Sequence, residues 1–397
     1  MSPGLPRLRV AGSPEAALRA EVLDSLGLDA VAAYVRDRRW FGGKGRAATA
    51  VRFRDVTPLF PGTAVARLEI ELAGAARALY QLPLAVRGDE ATSAAPLARV
   101  EAAKRPALLF DAVEDPEFRE RLGAAFAAGA VFEGKRTRWV VEPIDETGRW
   151  AIPPGTAGAL SRAEQSNTSI RYGEHGILKL YRRLERGENP DAEIGVFLVT
   201  RTSFRNVPRL FGTIRFEDGD GSRMIAAMLQ AFVPGSRDAW SHALSVVEGR
   251  LGTGFAAELP FAAEAVRLGE ITRGLHEALA SDPTHPDFAP EPVTADDLAT
   301  WREHARAQAL QSLVLLRGQR QLRGEAASLL ERRDELLRAI DESAVATGES
   351  AGAKIRHHGD YHLGQLLRDP RGDFVVIDFE GEPARPLAER RRRHSPL

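Results

Sequence analysis

The chain has 397 residues, of which 44% are hydrophobic and 27% charged, and its formal net charge is −1. That length allows two or three domains with their own cores, and the near-zero charge gives no signal for a polyanionic partner such as nucleic acid. Cysteine is absent, which excludes a disulfide framework, thiolate metal sites and a cysteine nucleophile; the N-terminus lacks the apolar run of a signal peptide and no stretch is apolar enough to span a bilayer, so a cytoplasmic protein with no membrane partner is expected.

Residues 15 to 39 carry the apolar spacing of an amphipathic helix or two, interrupted by Arg38-Arg39-Trp40-Phe41-Gly42-Gly43-Lys44-Gly45-Arg46. The glycines around Lys44 could cradle a phosphate, but the Walker spacing and its Ser or Thr are missing, so we read a structural turn anchored by Trp40 and Phe41. Strands are expected at Val51 to Phe60, Ala64 to Ala73 and Ala78 to Val86, with turns at Pro61-Gly62 and Gly74, forming a small antiparallel sheet. A helix from about Asp115 to Gly129 and a strand around Arg138 to Val141 follow, and Pro153-Pro154-Gly155 marks a boundary.

Beyond that boundary, Glu164 to Tyr181 reads as a β-hairpin whose loop is Gly173 to Gly176. Its polar start, including Ser166 and Asn167, could offer hydroxyls and amides to phosphates, or be no more than a polar strand entrance. Basic residues here are nearly all arginine; the five lysines are Lys44, Lys104, Lys135, Lys179 and Lys354, so a lysine inside an apolar strand needs a reason. We assign Lys179 to the α- and β-phosphates of a nucleotide, held by a Glu from the next helix, over the alternative of an edge-strand charge. In that helix Asn189 is a candidate N-cap, Pro190 fits the first position and Glu193 falls one turn in. Two further strands follow, at Val207 to Ile214 and Met224 to Val233; Met228 to Ala231, with Gln230, is the candidate hinge for adenine. From Ala239 to about Ser343 the pattern is helical, with Leu310, Leu313, Leu316, Leu329 and Leu336 at helical spacing.

The densest chemistry lies in Arg356-His357-His358-Gly359-Asp360-Tyr361-His362-Leu363-Gly364-Gln365, followed by Phe374-Val375-Val376-Ile377-Asp378-Phe379-Glu380-Gly381-Glu382. Phosphoryl transfer from a metal nucleotide needs an acid beside the acceptor hydroxyl, an amide five residues on for a metal, and a further acid after the next strand. Asp360, Gln365 and Asp378 fill those places as catalytic base and two metal ligands. If Gln365 to Arg368 and Asp373 to Phe379 are strands joined by the four-residue turn Asp369 to Gly372, Gln365 opposes Val376 and shares a face with Asp378. Val375, Ile377 and Phe379 then face the core, and a one-residue slip would undo the argument. His362, Glu380 and Glu382 lie beside these groups as candidate ligands for acceptor hydroxyls.

With these residues in hand the chain resembles the bacterial maltokinases, relatives of the aminoglycoside phosphotransferases. The resemblance includes Arg39 to Arg46, Glu164 to Ser169, Ile177 to Arg183, His358 to Gln365 and Ile377 to Leu387, with Gln365 and the Phe-Glu-Gly-Glu after Asp378 narrowing it to that group. It implies an α+β, bilobal protein-kinase-like fold: an N-terminal cap subdomain over 1–110, a β-rich N-lobe with the nucleotide clamp over 111–232, and a mainly helical C-lobe over 233–397. It also implies ATP and Mg2+ as cofactors and a sugar hydroxyl as acceptor, foremost the C1 hydroxyl of maltose, feeding α-glucan synthesis. The cap would be a surface for association with a trehalose-converting enzyme. Family members continue beyond the Arg390 to Leu397 region with helices that close the acceptor pocket, so the residues that choose the acceptor are expected after Leu397. Arg390 to Arg393 we read as a solvated loop rather than a nucleic-acid tail. A kinase for glucosamine or another amino sugar, an aminoglycoside kinase, and an inactive nucleotide-binding module or fragment are the competing readings.

Overall fold

The computed structural model describes residues 5–74, 77–88, 95–103, 105–144, 152–161, 167–251, 261–319, 324–342, 352–382 and 385–396. Ser166 lies outside them. By its contacts the chain divides into two compact units, one of residues 1–271 with 358–390, the other of residues 272–357 with 391–397. This division cuts through the expected C-lobe, because residues 358–390, which hold Asp360 and Asp378, pack with the N-terminal part of the chain.

The first unit begins with β1 (Arg7–Val10), α1 (Ala20–Asp24) and α2 (Gly27–Arg36). The strands β2 (Ala48–Pro58), β3 (Thr63–Leu72), β4 (Ala78–Arg87), β5 (Ala98–Ala102) and β6 (Ala107–Asp111) follow and assemble in the order β1-β5-β6-β4-β3-β2. All neighbours are antiparallel except β1 and β5. The Arg38 to Arg46 stretch is a turn, with Trp40 and Phe41 packed on Tyr80 at 5.8 and 5.6 Å between ring centroids, while Lys44 is exposed. The bulk of two aromatic rings against the sheet, not phosphate chemistry, accounts for this motif.

Next come α3 (Pro116–Ala128), β7 (Val131–Glu133), β8 (Thr137–Pro143), β9 (Gly158–Ser161), β10 (Asn167–Tyr172), β11 (Gly176–Tyr181), β12 (Arg183–Leu184), α4 (Pro190–Arg201), β13 (Leu210–Asp218) and β14 (Arg223–Ala231). Helix α3 is capped by Asp115, whose carboxylate accepts the Glu117 amide, and ends at Gly129 with φ 55°. The second sheet runs β7-β8-β13-β14-β11-β10-β9, with Lys179 opposite Ser169 on one side and Met228 on the other.

The two sheets share one core. Val65, Ala85 and Phe110 of the first cluster with Trp139, Leu178, Leu180 and Phe216 of the second, all at most 1% exposed. Burying such side chains stabilises by roughly 1.5–3 kcal/mol each. Polar ties cross the same boundary: β12 pairs with β4, fully buried Gln81 donates to the Tyr181 and Ala226 carbonyls, and Arg182 pairs with Asp111 at 2.8 Å.

The unit then includes β15 (Arg237–Asp238), α5 (Ala239–Leu251) and the start of α6 (Ala262–Leu279). In the second unit are the rest of α6, the short strand β16 (Glu291–Pro292), helices α7 (Ala295–Arg317), α8 (Glu325–Glu331) and α9 (Arg333–Asp341), and β17 (Ala353–Lys354), which pairs with β16. Of the leucines expected along these helices Leu313 is buried, whereas Leu329 is 45% exposed; Leu298 and Leu337 complete the buried set on α7 and α9. Arg391 and Arg393 pair with Asp287 and Glu291 in this unit, so that part of the arginine run is tied to acids and is not solvated. Among the described residues no helix is long and apolar enough to cross a membrane.

β18 (Leu366–Arg368) and β19 (Phe374–Val376) close the first unit. Their pairing is Leu366 to Val376 and Arg368 to Phe374, one residue away from the expected register. The cause is Asp369, whose carboxylate accepts the amides of Arg371 and Asp373 while its own amide donates to the Asp373 carbonyl. Asp369 and Asp373 thereby close a three-residue loop with Gly372 at φ 89°. Phe374 and Val376 are fully buried while Val375 and Ile377 are only partly so, the reverse of the expected facing, whereas Phe379 is buried as expected.

Candidate active site

Lys179 is 5% exposed, and a buried ammonium needs carboxylate partners. Its Nζ lies 3.1 Å from Asp191 Oδ2 and 3.2 Å from Asp378 Oδ1. Two acids thus meet Lys179: Asp191 from α4, the helix that also carries the expected Glu193, and Asp378. Helix α4 starts where expected, with Asn189 Oδ1 accepting the Asp191 amide and Pro190 at the first position.

Asp191 is 2% exposed and satisfied on both oxygens. Oδ2 also accepts the Tyr181 hydroxyl at 3.1 Å, and Oδ1 accepts the Phe379 amide at 2.9 Å. The strand lysine, its helix and the loop after β19 are thus joined at one carboxylate.

Asp378 has φ 65°, the one residue other than glycine with positive φ among the described residues. Such backbone costs of order 1–3 kcal/mol and persists where the surroundings enforce it. Here Phe379 is buried, its amide is taken by Asp191, and Lys179 draws the Asp378 carboxylate inward. Oxygens of Asp191, Asp378 and Glu380 lie within 4.8 Å of one another. Glu380, a candidate ligand for the acceptor, is part of this acid cluster and accepts the Asn167 amide at 2.6 Å. Burial, aided by Asp378 and opposed by Lys179, pushes the Glu380 carboxyl up to about 7.

The Asp360 loop is tied to β19 by His358. Its Nε2 meets the Ile377 carbonyl at 2.9 Å, and its Nδ1 accepts the Asp360 amide at 3.3 Å, which assigns the neutral Nε2–H tautomer. Burial lowers the His358 pKa below the ordinary histidine value. The unfolded chain therefore binds a proton that the folded chain resists, so stability falls as pH drops below about 6.5. Denaturation at pH 7.5 and 5.5 should give a smaller acid loss for His358→Asn than for the unmodified protein; equal losses would assign the acid sensitivity elsewhere.

Gly359 has φ 80°, and a Cβ there would come within 3.1 Å of the Gly381 Cα. The two loops meet glycine to glycine. Gly359→Ala should cost about 1–2 kcal/mol for the left-handed backbone alone and more for the contact. Gly352→Ala, at φ 72° with nothing within 4 Å, pays only the first part. Denaturant midpoints of the two variants test the difference.

Asp360 itself has a 37% exposed side chain, with His362 Nε2 at 3.8 Å. His362 Nδ1 accepts the Gly364 amide, capping the short turn that ends at Gln365. Gln365 is partly buried, and its carbonyl accepts the Ile377 amide at 3.0 Å. The fold therefore brings Gln365 beside the residue preceding Asp378 through this turn, not through the face-sharing that the expected register required. Glu382 is paired with Arg385 at 2.7 Å. Gln230 lies in β14 between Ile177 and Leu210, and the amides of Ala231 and Phe232 at the strand's exit donate to Arg209 and His175 carbonyls. Arg390, expected in a solvated loop, pairs with Glu185 and donates to the Glu380 carbonyl.

Sequence reasoning missed Asp191, Tyr181 and His358. The signal for Asp191 was present, as an acid directly after a capped Asn-Pro start.

Residues 34–115 match the family described as Maltokinase N-terminal cap domain, and residues 162–381 match the Phosphotransferase enzyme family. A glucosamine kinase of Streptacidiphilus jiangxiensis is 28% identical over 232 residues, 58% of this chain and 49% of that protein, so the match spans about half of the relative's length. A crystal structure of a glucosamine kinase superposes with a TM-score of 0.63 at 24% identity, covering 93% of this chain and 76% of that one. Another, holding glucosamine, ADP and inorganic phosphate, gives 0.61 at 23% identity with the same coverage. These likenesses identify the fold as kinase-like α+β. With more than half of its residues matched, carrying the lysine, the acid cluster and the Asp360 loop, the chain belongs to the phosphotransferase enzyme family.

Proposed function

We propose that the protein transfers the γ-phosphoryl group of ATP to a sugar hydroxyl. The observation that carries this reading is the buried Lys179 held between Asp191 and Asp378, with Asp378 in a strained backbone conformation. Lys179 binds nucleotide phosphates, Asp360 orients the acceptor hydroxyl and takes its proton, and Asn167 begins the strand β10 that pairs with the lysine's strand. The donor set suits a hard cation such as Mg2+: Asp378 and Glu380 offer carboxylate oxygens, Gln365 an amide, while Asp191 is already saturated. When bound, the ion supplies neutralisation of the triphosphate's charge. Catalysis then rests on positioning and on fixed charge.

For the acceptor, the match to the maltokinase cap favours maltose, phosphorylated at its C1 hydroxyl to give maltose 1-phosphate for α-glucan synthesis. Glucosamine is the second reading, favoured by the 28% identical relative. A panel of maltose, glucosamine, glucose and an aminoglycoside with labelled ATP tests both. Turnover of maltose with glucosamine inert supports the first; the reverse overturns the acceptor and leaves the chemistry intact. Association of the cap with a trehalose-converting enzyme is tested by gel filtration of the mixture, where failure to co-migrate counts against it.

A further inference from the structure

The segment that follows the acid cluster folds back onto it. Past Gly381 the chain forms a short helix, α10 (Leu387–Arg390), with the amides of Glu389 and Arg390 donating to the Pro386 carbonyl. Arg390, at its end, has a side chain only 7% exposed. One terminal nitrogen donates to the Glu380 carbonyl at 3.0 Å, and the other pairs with Glu185. The arginine's stem covers Gly381: a Cβ on that glycine would meet the Arg390 Cβ and Cγ at 3.4 Å and its Cδ at 3.6 Å. Leu387 joins the same helix to the segment around Glu185, since a Cβ on Gly187 would lie 3.6 Å from the Leu387 Cδ2.

Glu185 and Gly187 belong to the stretch between β12 and α4, the helix that brings Asp191 to Lys179. Arg390 therefore bridges the two segments whose carboxylates converge on the lysine. The Phe379 amide on Asp191 is a tie across the same boundary. The loop needs such ties, because Asp378 and Gly381 both have positive φ, at 65° and 72°, and backbone of that kind keeps its shape only where its surroundings enforce it. Gly381 in turn abuts Gly359 of the Asp360 loop, so a shift at Gly381 reaches both loops. Arginine suits the position: its planar fork directs two N–H groups at a carbonyl and a carboxylate together, whereas lysine offers a single point charge.

We propose that Arg390 is a positioning residue for the cation site: by fixing the Glu380 carbonyl and covering Gly381, it sets the Asp378 and Glu380 carboxylates where their oxygens converge. It acts on that loop and on neither reactant. Glu185 anchors the guanidinium, so the loop is held relative to α4. The inference rests on the reading of Asp378 and Glu380 as ligands of the nucleotide's divalent cation.

Cation binding is measured apart from turnover. The Mn2+–ADP complex is titrated into the full chain and followed by the Mn2+ electron paramagnetic resonance spectrum, with metal-free ADP titrated calorimetrically alongside. Arg390→Lys should weaken binding of Mn2+–ADP at least about tenfold and leave metal-free ADP nearly unaffected. Glu185→Gln, which removes the anchoring charge from a partly exposed side chain, should act in the same direction and by less. In turnover, Arg390→Lys should raise the Mg2+ concentration for half-maximal rate while the KM for the acceptor sugar stays unchanged. Arg385→Ala, which removes an exposed partner of Glu382, should bind Mn2+–ADP as the unmodified protein does. All titrations are made below the thermal transition of the least stable variant, so that loss of fold is not read as loss of binding. A folded Arg390→Lys that binds Mn2+–ADP undiminished, or that loses metal-free ADP equally, would overturn the proposal and leave the phosphoryl-transfer reading standing. No binding of Mn2+–ADP by the unmodified protein would overturn both.

Discussion

Asp360→Asn is expected to lower turnover by roughly 10²–10⁴-fold, the range for a positioned acid–base group, and to leave nucleotide affinity nearly unchanged. The separation follows from where the charges lie. Lys179, Asp191 and Asp378 form one ion-paired group. Asp360 belongs to a different loop, and its side chain is 37% exposed. Since its amide, not its carboxylate, is what His358 holds, the substitution also leaves the loop's anchor intact. Steady-state turnover together with ADP titration checks both halves; a variant with undiminished turnover would falsify the role of Asp360.

Asp191→Ala should have the largest effect on stability. Breaking a buried pair by removing one partner typically costs 3–5 kcal/mol, about the size of many proteins' entire margin. Here the loss would also strand the Tyr181 hydroxyl and the Phe379 amide. Glu193→Gln, in the same helix but only partly buried and keeping the side chain's shape, should cost less than Asp191→Ala. Because Asp191→Ala can fail to fold, Asp191→Asn provides the functional test: it keeps the shape, removes the charge that holds Lys179, and should weaken nucleotide binding. If Glu193→Gln destabilises the protein or weakens nucleotide binding as much as the Asp191 variants do, the clamp has been assigned to the wrong acid.

The two sites differ in how much of them can be read from the chain. Lys179 stood out because lysine is rare here and sits in an apolar strand, and Asn189-Pro190 gave the start of α4 correctly. The acid that reaches the lysine depends on the helix's rotation about its axis, which one cap residue does not fix. The ribbon of β18 and β19 was recognisable, but its register turned on whether Asp369 belonged to the turn or closed it. A side-chain hydrogen bond of that kind shifts the pairing by one residue without altering composition. The Trp40 motif had a structural explanation that its glycines could not by themselves distinguish from a phosphate loop.

What the sequence determined was local and chemical: the strands β2, β3 and β4 of the first sheet, the extent of α3, the cap of α4, the lysine, and the acids flanking Gly359 and Gly381. These depend on residue type and on spacings of a few positions, where the backbone leaves little choice. Tertiary structure decided that Asp191 and Asp378 meet at Lys179, why Asp378 holds a positive φ, and how Glu380 joins Asp378. Each of these needs side chains from segments far apart in sequence to arrive at one point, with burial raising the cost of every unpaired charge and donor, and no local pattern encodes that meeting.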